Sequence, residues 1–170
     1  MEFRRGGNEA VAPLYTPEQR TRRDASRWTL VQGILAPLQF LVFLISAALV
    51  LRYLATGEGW VLASASVVIK TLVLYSIMVT GSLWENDVFG QYLFAPAFYW
   101  EDVVSMLVLA LHTAYLIALF TNVLSPREQM LLALAAYATY VINAAQFVIK
   151  LRMARRERGR FPVAQLAGGE

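Results

Sequence analysis

Glu101, Ser105 and His112 stand at i, i+4 and i+11, which on an α-helix is one face, with Asp102 at its edge. Just upstream, Glu85 and Asp87 sit among Trp84, Phe89, Tyr92, Phe94, Phe98, Tyr99 and Trp100. Carboxyls beside aromatic rings suit acid–base work on a flat apolar substrate, because an apolar surrounding keeps a carboxylic acid protonated until the substrate edge takes the proton. The plainer reading is that Glu101 and Asp102 merely favour a helix N-terminus and that His112 is a packing residue. Other chemistries are excluded. The chain has no Cys and one His, so thiolate nucleophiles, disulfides and multi-histidine metal sites are ruled out. No Gly-rich phosphate loop, HExxH or hydrolytic triad occurs.

A second polar stripe, Thr139, Asn143, Gln146 and Lys150, follows the spacing i, i+4, i+7 and i+11. Gln32 and Gln39 flank Pro37. These residues either bond neighbouring helices or, with Glu101, line a polar pocket open to the cytoplasm. Lys70 lies at nearly the depth of His112. Pairing with a carboxylate, bonding to carbonyls and snorkelling are all open to it, and interhelical bonding is slightly favoured over a functional role.

The elements that must position these groups are membrane spans. Of 170 residues, 58% are hydrophobic and 16% charged, and the mean hydropathy is +0.49. Too little polar surface remains to cover a soluble core of this size. Four apolar runs, about 28–51, 60–83, 100–123 and 128–150, are each long enough to cross a bilayer. The expected fold is an all-α integral membrane protein, a four-helix bundle. The first run is too long for a cleavable signal and reads as a signal anchor.

Arg4, Arg5, Arg20, Arg22, Arg23 and Arg27 precede the first span, and Lys150, Arg152, Arg155, Arg156, Arg158 and Arg160 close or follow the last. The positive-inside rule then predicts both termini in the cytoplasm. The basic clusters suit anionic headgroups better than nucleic acid. Thr16-Pro17-Glu18-Gln19 and Ser125-Pro126-Arg127-Glu128 read as capped helix starts, and Thr56-Gly57-Glu58-Gly59 as a tight turn. Trp28, Trp60, Trp84 and Trp100 fall at expected helix ends. The expected organisation is a disordered tail over 1–15, a membrane domain over 16–153 and a basic tail over 154–170, with the extreme stretches 1–13 and 161–170 unstructured. The connection between the second and third spans, running from Trp84 through Asp102, contains no Lys or Arg. It reads as a long functional loop.

Three stretches carry a family resemblance: TPEQRTRRDASRWTLVQGILAPLQFLVFL, VFGQYLFAPAFYWEDVVSMLVLALHTAYLIALF and AAYATYVINAAQF. Together they resemble the 3-vinyl bacteriochlorophyllide hydratases of bacteriochlorophyll biosynthesis, over roughly residues 15 to 153. The resemblance implies cofactor-free addition of water to the ring-A vinyl group of chlorophyllide a, or of 3-vinyl bacteriochlorophyllide a, giving a 1-hydroxyethyl group. The magnesium belongs to the substrate. On this reading Glu101 is the general acid and Asp102 orients water or tunes Glu101, with Glu85 and Asp87 as rivals for either role. Trp84, Tyr92, Phe94, Tyr99 and Trp100 stack on the macrocycle, and Ser105, Gln39, Asn143 and Gln146 line the site. His112 is a candidate ligand to the substrate magnesium, and Arg27 or Lys150 meets the propionate. The expected location is the bacterial cytoplasmic or intracytoplasmic membrane. Expected partners are the pigment and membrane lipid, with neighbouring pathway enzymes or further copies of the chain as possibilities. Two other functions compete: a non-catalytic pigment-binding or assembly protein, and a small transporter, against which the lack of repeat symmetry weighs.

Overall fold

The computed structural model describes residues 14–160, with side chains to residue 155. The stretches 1–13 and 161–170, expected as tails, lie outside the described residues. The order is α1 (Pro17–Ala25), α2 (Arg27–Thr56), α3 (Trp60–Phe89), α4 (Tyr99–Thr121) and α5 (Pro126–Arg160). The described residues form no strand. Helices α2 to α5 are each long and apolar enough to cross a membrane, so the chain reads as a multi-pass membrane protein.

Local chemistry sets the helix starts. Thr16 accepts from the Gln19 N–H while the Gln19 side chain accepts from the Thr16 N–H, a reciprocal cap that leaves Pro17 at the first helical position, where no N–H is needed. Ser125 and Glu128 do the same for α5. Between α2 and α3, Gly57 and Gly59 take φ of 76° and 85°, conformations that cost side chains with a Cβ far more.

The spans pair as two antiparallel hairpins, α2 on α3 and α4 on α5, which join mainly along α2·α5 and α3·α4. Phe43, Val67, Leu74, Val108, Tyr115 and Tyr137 belong to the main buried cluster between them. The opposite sides carry exposed Leu, Ile, Val and Phe, such as Ile34, Leu62 and Phe120, as lipid contact requires. Ala133 and Ala136, small residues suited to close helix contact, are buried within the bundle itself.

Three boundaries differ from the sequence reading. Leu14 and Tyr15 pack against the bundle, and Tyr15, assigned to the tail, is 3% exposed. Helix α5 continues past 153 to Arg160. Helix α3 runs to Phe89, so Trp84, Glu85, Asp87 and Phe89 lie on its last turns and not in a loop. Charges end an apolar run, but they do not break a helix. Helix α3 stops only where Gly90 supplies a left-handed residue, at φ 79°.

Candidate active site

The described chain termini and the 90–98 connection meet at one end of the bundle. Helix α1 lies against α3, and the hydroxyl of Ser26 donates to the Asp87 carboxylate at 2.6 Å. The Trp84 indole N–H donates to Thr29 at 3.0 Å. Tyr15, Trp84, Phe89 and Phe98 pack edge-to-face and stacked, and Phe147 of α5 closes the cluster. Burial pushes the Tyr15 phenol above its ordinary range, partly offset by the Arg23 guanidinium, which lies 4.9 Å from the ring centroid.

On this aromatic base stand three buried carboxyls. Glu85, at 4% exposure, accepts from the Ala95 N–H. Asp102, at 7%, accepts from the Phe94 N–H at 2.7 Å. These two bonds hold the loop where Phe94 adopts φ 61°, a left-handed conformation that costs a bulky residue roughly 1–2 kcal/mol. Glu85 and Asp102 also lie within hydrogen-bond reach of each other. A bond between two carboxyls needs one proton between them. Glu101 is engaged differently: the Lys150 ammonium meets its Oε2 at 2.6 Å and also donates to the Ala97 carbonyl. One turn deeper, Ser105 donates to Asn143 at 3.2 Å, and Asn143 donates to the Glu101 carbonyl at 2.8 Å.

Outside the carboxyls is a second, open set of rings. Phe94, Tyr99 and Trp100 contact one another in sequence, with centroids 5.8 and 5.5 Å apart. All three are exposed, Trp100 at 68%, and Tyr92 is exposed beside them in the chain. The site therefore has acids directly behind an apolar, aromatic outer surface, and a cation to one side.

The sequence profile of the 2-vinyl bacteriochlorophyllide hydratase family matches residues 15–153. A protein of that name from Cereibacter sphaeroides is 73% identical over 143 residues, covering 84% of this chain and 88% of its own. Another from Rhodobacter capsulatus is 66% identical over 148 residues, covering 87% and 86%. The chain belongs to this family. It is a hydratase of bacteriochlorophyll synthesis, and so a hydro-lyase. The names use position 2 for the vinyl group where the resemblance above uses 3. No solved structure matches the chain.

Measured against the hydratase geometry, the expected site residues divide. Glu101, Asp102 and Ser105 come together on α4 as the helical spacing predicted, and Asn143 of α5 and Glu85 of α3 join them. Asp87, a proposed rival acid, is turned away and exposed on Ser26. Trp84 is held within the inner aromatic cluster and the Thr29 bond, so it is not part of the open ring surface formed by Tyr92, Phe94, Tyr99 and Trp100.

The residues expected to line a polar pocket at this end divide, with Glu101, Ser105, Asn143 and Lys150 bonded to one another. Gln39 is 2% exposed with both amide atoms unpartnered, and Gln146 keeps its Oε1 buried and unpartnered. The larger of two described grooves, about 380 Å³, is apolar and runs between α2 and α5 along Phe40, Tyr140, Val141, Ala144, Ala145 and Val148. His112, expected as a magnesium ligand, is completely buried and lines neither groove. Lys150, expected at the propionate, is occupied by Glu101, whereas Arg27 is exposed, its guanidinium 5.2 Å from the Trp28 ring. The sequence missed the Lys150–Glu101 pair, although both ends were visible as polar positions on inward stripes.

Proposed function

We propose that this hydratase adds water across the 3-vinyl group of chlorophyllide a or 3-vinyl bacteriochlorophyllide a, giving the 3-(1-hydroxyethyl) product by carboxyl acid–base catalysis without a cofactor of its own. The observation that carries the mechanism is the contact between the buried Glu85 and Asp102 carboxyls behind the open rings. Each has one oxygen tied to a loop N–H, and the second is free of the backbone. The shared proton passes to the terminal vinyl carbon, the π pair forming the new C–H bond. The cation left on the ring-side carbon is conjugated with the macrocycle. Water adds there, and its proton returns to the carboxylate, restoring the pair.

This assignment moves the acid from Glu101 to the Glu85–Asp102 pair. Glu101 is engaged by the Lys150 ammonium at 2.6 Å, so with Lys150 it serves to stabilise charge and orient water. Tyr92, Phe94, Tyr99 and Trp100 take the macrocycle face, and the exposed Arg27 meets its propionate. The basic residues flanking the first and last spans support a reading in which both termini, and with them the site, face the cytoplasmic side of the bacterial inner membrane.

The test is turnover by membranes containing the chain alone, given each vinyl pigment in oxygen-18 water. Product heavier by one labelled water is expected, and it should vanish in Glu85→Gln and Asp102→Asn proteins that still fold and bind pigment. Undiminished turnover in both variants would put the acid elsewhere.

A further inference from the structure

The middle of the bundle holds polar groups that the reaction does not use. Lys70 of α3 and His112 of α4 are 0% exposed, and Gln39 of α2 is 2% exposed. Lys70 Nζ, His112 Nε2 and both Gln39 amide atoms have no hydrogen-bond partner. Leaving a buried polar group unpaired costs about 1–3 kcal/mol, and more for a charge, so four such atoms in one small region are a large unmet demand.

Contacts place Lys70 and His112 beside neighbouring tyrosines of α5, and helical spacing brings Gln39 towards them. Lys70 Nζ lies 4.0 Å from the Tyr140 ring centroid. The His112 ring lies 5.8 Å from Tyr137, less than one helical turn away on α5. Phe43 touches both tyrosines at 5.5 and 5.0 Å, and Gln39 is one turn before Phe43 on the same face of α2. The Val108 carbonyl, 2.8 Å from His112 Nδ1, can only accept, so Nδ1 carries the hydrogen and the neutral ring presents Nε2 as an acceptor. The region therefore offers ammonium donors, an imidazole acceptor, and an amide that does both.

We propose that this region is an internal hydration site, in which ordered water bridges the Lys70 ammonium to His112 Nε2 and reaches the Gln39 amide. Water is the ligand that satisfies such a mixed set, needing two to four polar partners. An anion would serve the ammonium and leave the imidazole lone pair and the amide oxygen unpaired. The site is walled from lipid by Phe43, Tyr137 and Tyr140, and it stands whatever the order of proton transfer at the carboxyls.

Hydroxyl-radical footprinting of the detergent-solubilised full chain tests it, because radicals form where water is held. Tyr137, Tyr140 and His112 should be oxidised, although buried. Met130, intrinsically more reactive and fully buried in the same cluster but about two turns from Tyr137 along α5, should stay unmodified. Labelling of Tyr137 and Tyr140 should fall severalfold in Lys70→Met. Thermal unfolding gives a second readout: Lys70→Met and His112→Leu should each lower Tm, and the double variant should lose less than the sum. A wild-type centre as unlabelled as Met130 would overturn the proposal, and so would single variants that raise Tm, the result expected of a dry site relieved of polar atoms.

Discussion

The carboxyl end of the bundle and its centre are built from the same kind of material, polar and ionisable side chains on inward helix faces, yet they are finished differently. Glu85, Glu101 and Asp102 each have a partner from another segment: Ala95, Lys150 and Phe94. The side-chain polar atoms of Gln39 and Lys70 and His112 Nε2 have no hydrogen-bond partner among the described residues, Lys70 facing the Tyr140 ring instead. A fully bonded group is fixed in place, which is what proton delivery to one carbon demands. An unbonded one has capacity left for a small mobile ligand. The contrast separates positions where polar chemistry has been oriented from positions where it has only been enclosed.

Removing the acid pair should break the comparison most visibly. Glu85→Gln or Asp102→Asn is expected to cut turnover by about 10²- to 10⁴-fold, read by pigment conversion alongside circular dichroism to confirm folding. Glu101→Gln should lose less, because the proposed mechanism does not draw its proton from Glu101; an equal or greater loss would return the role of acid to Glu101.

The inner aromatic cluster is the support beneath that pair. Phe98→Ala opens a cavity among Tyr15, Trp84, Phe89 and Phe147 and should cost about 3–5 kcal/mol, measured as denaturant or thermal unfolding in detergent. A loss under 1 kcal/mol would mean that the cluster does not brace the site.

Lys150→Met leaves Glu101 buried without its cation. With the Lys150 side chain 26% exposed, water offsets part of the loss, and about 1–3 kcal/mol is expected. The double variant with Glu101→Gln should recover some of it, and strict additivity would show that the two do not interact.

The smallest effect should come from Asp87→Asn, two residues from Glu85 but facing Ser26. An amide oxygen still accepts that hydroxyl, so stability should change by no more than about 0.5 kcal/mol and turnover hardly at all. A large loss of activity would put Asp87 back among the candidate acids.

Much of this molecule follows from local rules, and those parts were legible. Apolar length set the number of spans, Thr16 and Ser125 marked helix starts, and the spacing of Glu101, Ser105 and His112 placed them on one buried face. Each depends only on the geometry of a single helix. Hydropathy could not show that α3 continues through Glu85 and Asp87, because backbone hydrogen bonds persist whether side chains are apolar or charged.

Pairing across helices was beyond the sequence. Lys150 and Glu101 are 49 residues apart, and Ser26 and Asp87 are 61 apart. Periodicity says which face of a helix turns inward, but not what it meets there. That depends on tilt, register and the path of the 90–98 loop, which are properties of the packed bundle. The sequence determined that acids lie at the mouth of a membrane bundle; only the tertiary structure decided that Glu101 meets a cation while Glu85 and Asp102 meet each other.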